Sequence, residues 1–146
     1  MNKKAIISVI SKQKGYEDDI IEVVTPGKFY KKDGKYYVVY EETELSGMEG
    51  TTTILKVEND EFTLSRKGTI NSKMSFKKNG TDHILYSTPQ GSLSFSMDII
   101  KVKVDLNDQG GNIYSNYNLN VADGQSISTE LNVNVKIIED INNSIN

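Results

Sequence analysis

Residues 112–137, NIYSNYNLNVADGQSISTELNVNVKI, decide the fold. Ile113, Tyr117, Leu119 and Val121 share one face of an extended chain, and Asn116, Asn118 and Asn120 share the other. After Asp123-Gly124 the pattern resumes, with Ile127, Leu131, Val133, Val135 and Ile137 opposing Asn132, Asn134 and Lys136. Period-two alternation on both sides of an Asp-Gly pair is the sequence signature of an antiparallel hairpin. One face packs on a core and the other meets water.

The same punctuation recurs upstream at Asp33-Gly34, Asn59-Asp60 and Asn79-Gly80, each between strand-length segments. Asn, Asp and Gly tolerate the positive φ that tight hairpin turns require. The spacing predicts strands over 3–11, 19–32, 35–43, 51–57, 62–67, 70–78 and 81–87. The second strand is expected to bend at Thr25-Pro26-Gly27, where proline removes a ladder donor and so marks an edge or a bulge. A longer strand over 93–106 changes phase. Leu93, Phe95, Met97 and Ile99 alternate, then Ile100, Val102, Val104 and Leu106 continue on the other parity. One extra residue near Ile99-Ile100, a β-bulge, would keep all of them on the core side and help a sheet coil. The polar tail over 139–146 is expected to be frayed or briefly helical. About ten strands without helices leave a sandwich or a closed barrel. Short sequential hairpins favour an up-and-down antiparallel barrel of about 8–10 strands over a Greek key.

At 146 residues the chain is one all-β domain over 1–146, long enough to bury roughly 70% of its unfolded surface. With no cysteine, a disulfide framework, a thiolate metal site and a Cys nucleophile are excluded. Met1-Asn2-Lys3-Lys4 before the apolar stretch 5–10 has the charge of a signal peptide. The stretch is too short, and Lys12 and Lys14 stand where a small-residue cleavage site belongs, so a cytoplasmic protein is expected. No run approaches the ~20 apolar residues of a membrane helix. A net charge of −3 argues against nucleic acid as the main partner. That charge is banded: residues 1–40 carry +3, 41–61 carry −6, 62–103 carry +5 and 104–146 carry −5. In a meander such bands fall on neighbouring strands, where they pair across the sheet surface.

Four segments occur in a telling order: Tyr40-Glu41-Glu42-Thr43, Gly47-Met48-Glu49-Gly50-Thr51-Thr52, Arg66-Lys67-Gly68 and Tyr86-Ser87-Thr88-Pro89-Gln90-Gly91. In this order the chain resembles the YwiB-like family of small, uncharacterised proteins from Gram-positive Firmicutes. The resemblance spans nearly the whole chain, and the Thr-Pro-x-Gly turn after a tyrosine strand is its most specific part. It implies a calycin-type, lipocalin-like β-barrel in a cytoplasmic setting. It implies no activity, and no cofactor is expected.

Arg66 is the single arginine of a lysine-rich chain and shares parity with Phe62 and Leu64, which points it toward the core. A buried arginine needs a carboxylate or several carbonyls, and it forms a planar two-pronged pair that lysine cannot. Glu41, on the parity of Tyr37 and Val39, is the first choice of partner. The pair reads either as a structural latch at one end of the barrel or as an anchor for an anionic head group. His83, the only histidine, follows Asp82, but adjacent strand residues face opposite ways, so an exposed hairpin histidine is expected. The carboxylate run Glu17-Asp18-Asp19 lacks the alternating spacing of a calcium loop, and Glu41-Glu42-x-Glu44 reads as a solvated strand end. Tyr36, Tyr37 and Tyr40 fit a pocket mouth or half-buried strand positions with wet hydroxyls.

Without a nucleophile elbow, a phosphate-cradling loop or metal-spaced ligands, an enzyme is the weakest reading. Two others stand nearly level. One is a barrel that binds a small apolar or anionic ligand, its body among Tyr37, Phe62, Leu64, Phe95 and Met97, with Val39 and Leu93 beside them. The charge of that ligand would lie near Arg66, with Glu41 also counted among the binding residues. The other is an interaction or regulatory module whose barrel is filled by its own side chains. Either is expected to be a monomer or weak homodimer, with no metal, nucleic-acid or membrane partner.

Overall fold

The computed structural model describes residues 2–14, 19–121 and 124–140. Ten strands follow one another: β1 (Asn2–Lys14), β2 (Asp19–Lys32), β3 (Lys35–Glu41), β4 (Thr51–Glu58), β5 (Glu61–Gly68), β6 (Ser72–Phe76), β7 (Thr81–Thr88), β8 (Gly91–Asn107), β9 (Gly110–Asn120) and β10 (Ser126–Asp140). They form one sheet in the order β6-β5-β4-β3-β2-β1-β10-β9-β8-β7. Every ladder is antiparallel, and all but the β1–β10 pair join sequence neighbours, giving an up-and-down meander. The two outer strands, β6 and β7, curl toward each other and nearly close the sheet into a barrel. Asn71 and Ser87 exchange backbone hydrogen bonds of 3.0 and 2.9 Å. Further along the same seam the Ser75 N–H donates to Asp82 Oδ2 at 2.9 Å, so a side chain satisfies what the missing ladder would have.

Turn chemistry sets this register. Asp33, Asn59 and Asn79 take φ of 53°, 55° and 58° at the hairpins the sequence marks. The Asp123 turn lies outside the described residues. Pro26 is tolerated inside a long strand because β3 pairs with β2 only from Gly27 onward, so the earlier half of β2 has one neighbour, β1. At Gly27 the β3 backbone approaches so closely that a Cβ would stand 2.6 Å from Val39 O. The predicted strand over 70–78 shrinks to Ser72–Phe76, and the strand over 35–43 ends at Glu41. Glu139 and Asp140 extend β10 instead of fraying, and 141–146 lie outside the described residues.

The phase change in β8 is a bulge. Ile99 pairs with Tyr117 and Lys101 with Asn116, leaving Ile100 as the extra residue. Met97 and Ile99 are buried before it, and Val102, Val104 and Leu106 pack on the core after it. Two of the eight expected core residues are exposed. Ile100 is 49% exposed because the unpaired residue rotates out of the pleat, and Leu93 is 57% exposed because it lies at the rim.

The half of the interior at the β8–β9 turn is solid. Phe29, Val38, Leu55, Phe76, Ile113 and Val133 are fully buried there. Phe62 and Phe76 stack at 4.4 Å, and Tyr117 meets the Phe76 ring edge-on at 5.2 Å. Asp108, in the β8–β9 turn, ties this end across the barrel: its Oδ1 accepts from Tyr36 Oη at 2.7 Å and its carbonyl from Lys3 Nζ at 2.6 Å. No helix among the described residues is long and apolar enough to cross a membrane.

Candidate functional site

The opposite half of the barrel is hollow, and one cross-strand row brings its polar groups together. Tyr40 on β3 pairs with Thr53 on β4, Thr53 with Arg66 on β5, and Arg66 with Ser72 on β6, so all four share the inner face. Glu42 follows two residues after Tyr40 and keeps that face. Its N–H donates to Thr51 O at 2.8 Å, which holds the chain in line after β3 ends. Thr53 Oγ1 donates to Glu42 Oε2. Across Thr53, Glu42 Oε2 lies 3.9 Å from Arg66 Nε, with the two side chains 3% and 17% exposed. Arg66 Nε is buried without a hydrogen-bond partner, and so is Ser72 Oγ directly across from it. Unsatisfied buried donors are costly, and native structures keep few of them.

Electrostatics follow from burial. The Tyr40 phenol is pushed well above its ordinary range by burial, reinforced by the Glu42 carboxylate and opposed by the Arg66 guanidinium. Burial pushes Tyr117 up to about 12, with Arg66 again opposing. Both hydroxyls therefore stay protonated as donors at neutral pH.

These groups line a cavity of about 310 Å³. Its walls are apolar, built by Val9, Leu64, Met74, Ile84, Phe95 and Leu131, while Tyr40, Glu42, Arg66 and Tyr117 supply polar atoms. Ile21 and Leu93 stand at the rim, joined by Met48 from the loop that carries the 3₁₀ turn Glu44–Ser46.

Of the residues singled out from sequence, Arg66, Leu64 and Phe95 line this cavity, as does Leu93. Phe62 and Met97 are buried in the barrel without lining it. Tyr37, Val39 and Glu41 face outward. Tyr37 stacks on Tyr30 at 5.0 Å, and the Glu41 carboxylate accepts from Thr52 Oγ1 at 2.9 Å. The carboxylate facing Arg66 is therefore Glu42 and not Glu41. The run Tyr36-Tyr37-Val38-Val39-Tyr40 is apolar on both parities, so periodicity alone does not say which side is inner. The pairing of Tyr40 with Thr53 and of Thr53 with Arg66 says it, once register is known. Glu41 and Glu44 are solvated as read, but Glu42 between them is buried. His83 is exposed, and its backbone N–H donates to Asp82 Oδ1. Glu17 and Asp18 lie outside the described residues. No group of three or more His, Asp or Glu placed to hold a metal occurs among the described residues.

Residues 6–133 match the profile of a family described as "Domain of unknown function (DUF1934)". The chain is 30% identical over 114 residues to the uncharacterized beta-barrel protein YwiB of Bacillus subtilis strain 168, covering 75% of this chain and 78% of that one. It superposes on the crystal structure of the ywiB protein from Bacillus subtilis with a TM-score of 0.84. The match covers 94% of this chain and 93% of the other at 21% identity, which is a likeness of fold.

Proposed function

The chain belongs to the DUF1934 family, and for this member we propose a non-enzymatic function: binding a small, largely apolar molecule whose acceptor or anionic head group meets Arg66. The observation that carries this reading is a single guanidinium with a buried, unpartnered Nε at the wall of an apolar cavity. Ligand pockets are concave, apolar and furnished with a few convergent polar groups, and about 310 Å³ sits at the lower end of their roughly 300–1,000 Å³ range. In low dielectric a charge-assisted hydrogen bond from arginine is strengthened, and it orients the ligand while the apolar walls hold its body. The hollow half of the barrel favours this reading over a barrel filled by its own side chains.

Native mass spectrometry of protein purified without detergent, followed by titration with octanoate, tests the proposal. A co-purified small molecule or saturable octanoate binding that Arg66→Met abolishes is expected. Finding neither returns the protein to the interaction-module reading.

A further inference from the structure

The cavity holds one cation and one carboxylate 3.9 Å apart, and that balance constrains what enters. Arg66 and Glu42 already cancel. The other ionisable side chains facing the cavity among the described residues are tyrosines: Tyr40 from β3, Tyr86 from β7 and Tyr117 from β9. None is a cation. A ligand carboxylate seated on Arg66 therefore stands beside the Glu42 carboxylate, in a space with apolar walls and a single guanidinium to serve both. Two carboxylates in such proximity do not both remain ionised, because each like charge disfavours the other.

We propose that the site is selective for weak acids, binding a carboxylic acid with one proton shared between its head group and Glu42, so that Arg66 holds a hydrogen-bonded acid pair of single negative charge. This deepens the ligand-binding reading and rests on it. The proton comes from solvent. In the free protein Glu42 faces the Arg66 guanidinium, and the free ligand is a carboxylate at neutral pH; the complex carries one proton more than the two apart. No bond other than hydrogen bonds forms or breaks. Thr53 supports the arrangement by donating to Glu42 Oε2 and so fixing the orientation of the carboxyl group. A sulfonate or sulfate ester is far too weak a base to share a proton evenly with Glu42, so its hydrogen bond to a protonated Glu42 is weak and it is disfavoured although it fits the same walls.

Isothermal titration of the full chain with octanoate and with octanesulfonate, between pH 6 and 8 and in two buffers of different ionisation enthalpy, tests this. Uptake of about one proton per octanoate is expected, with the dissociation constant rising about tenfold per pH unit. Octanesulfonate should bind at least tenfold more weakly at pH 7. In Glu42→Gln the proton uptake and the discrimination against sulfonate should both disappear. Octanoate binding without proton uptake, or equal binding of the two ligands by the parent protein, overturns this inference and leaves the ligand-binding reading standing. Binding of neither ligand overturns both. The parent protein alone decides the question should Glu42→Gln fail to fold.

Discussion

Glu42 Oε2 lies 3.9 Å from Arg66 Nε, close enough to neutralise its charge and too far to satisfy its hydrogen. Removing one partner of a buried pair leaves the other uncompensated, whereas removing both is close to neutral. Arg66→Met is expected to destabilise the protein by about 3 kcal/mol at pH 7. Adding Glu42→Gln should recover most of that loss, since glutamine keeps an acceptor for Thr53. Urea unfolding of the two single variants and the double variant measures the coupling. Strict additivity would show that the two side chains do not interact.

The bulge makes opposite predictions for two adjacent isoleucines. Ile99 is buried and Ile100 is the extra, outward residue. Ile99→Ala should cost about 2–5 kcal/mol as a core truncation. Ile100→Ser should stay within about 0.5 kcal/mol, as surface changes do. Thermal melts of the pair place the extra residue: a strand keeping the phase of Val102, Val104 and Leu106 back through this point would bury Ile100 and expose Ile99, and the two costs would exchange.

Packing differs between the barrel's two halves, and truncations should report it. Phe76→Ala removes a fully buried ring held by Phe62 and Tyr117, and about 4 kcal/mol is expected. Leu131→Ala removes atoms that already face the cavity, so fewer dispersion partners are lost and about 2 kcal/mol is expected. Denaturant titration of both variants gives the comparison.

Alkaline stability follows from the buried phenols. Tyr117 is raised to about 12 in the folded state and Tyr40 is raised too, chiefly by burial. The unfolded chain, with phenols near 10, releases these protons first. The contribution is fully present below pH 10 and is lost as pH rises from 10 towards 12. Absorbance titration at 295 nm should show these two of the eight tyrosines ionising together with unfolding. Reversible ionisation of all eight near pH 10 in a still-folded protein contradicts it.

The meander was legible because its hairpins carry local chemistry. Asp33, Asn59 and Asn79 adopt positive φ, and strands such as Ile113–Val121 alternate cleanly. The bulge was legible from a parity change within one strand. The site was less so. Arg66 and Leu64 were found on their own strand's parity, while Glu42 was missed because Tyr36 to Tyr40 is apolar on both faces. Its orientation is settled by pairing with β4, a relation between segments that neither segment encodes alone. The hollow end was not legible either, since cavity volume depends on how ten strands tilt and close.

The central claim is that a ligand enters this cavity and no other place. Methyl chemical shifts, followed while octanoate is added to the isotope-labelled protein, test it most directly. Saturable shifts at Leu64, Met74, Ile84 and Leu131, with little change at Val38, Leu55 and Ile113 in the packed half, are the predicted result. No saturable shift, or shifts confined to outward methyls such as Ile54 and Ile138, contradicts the account.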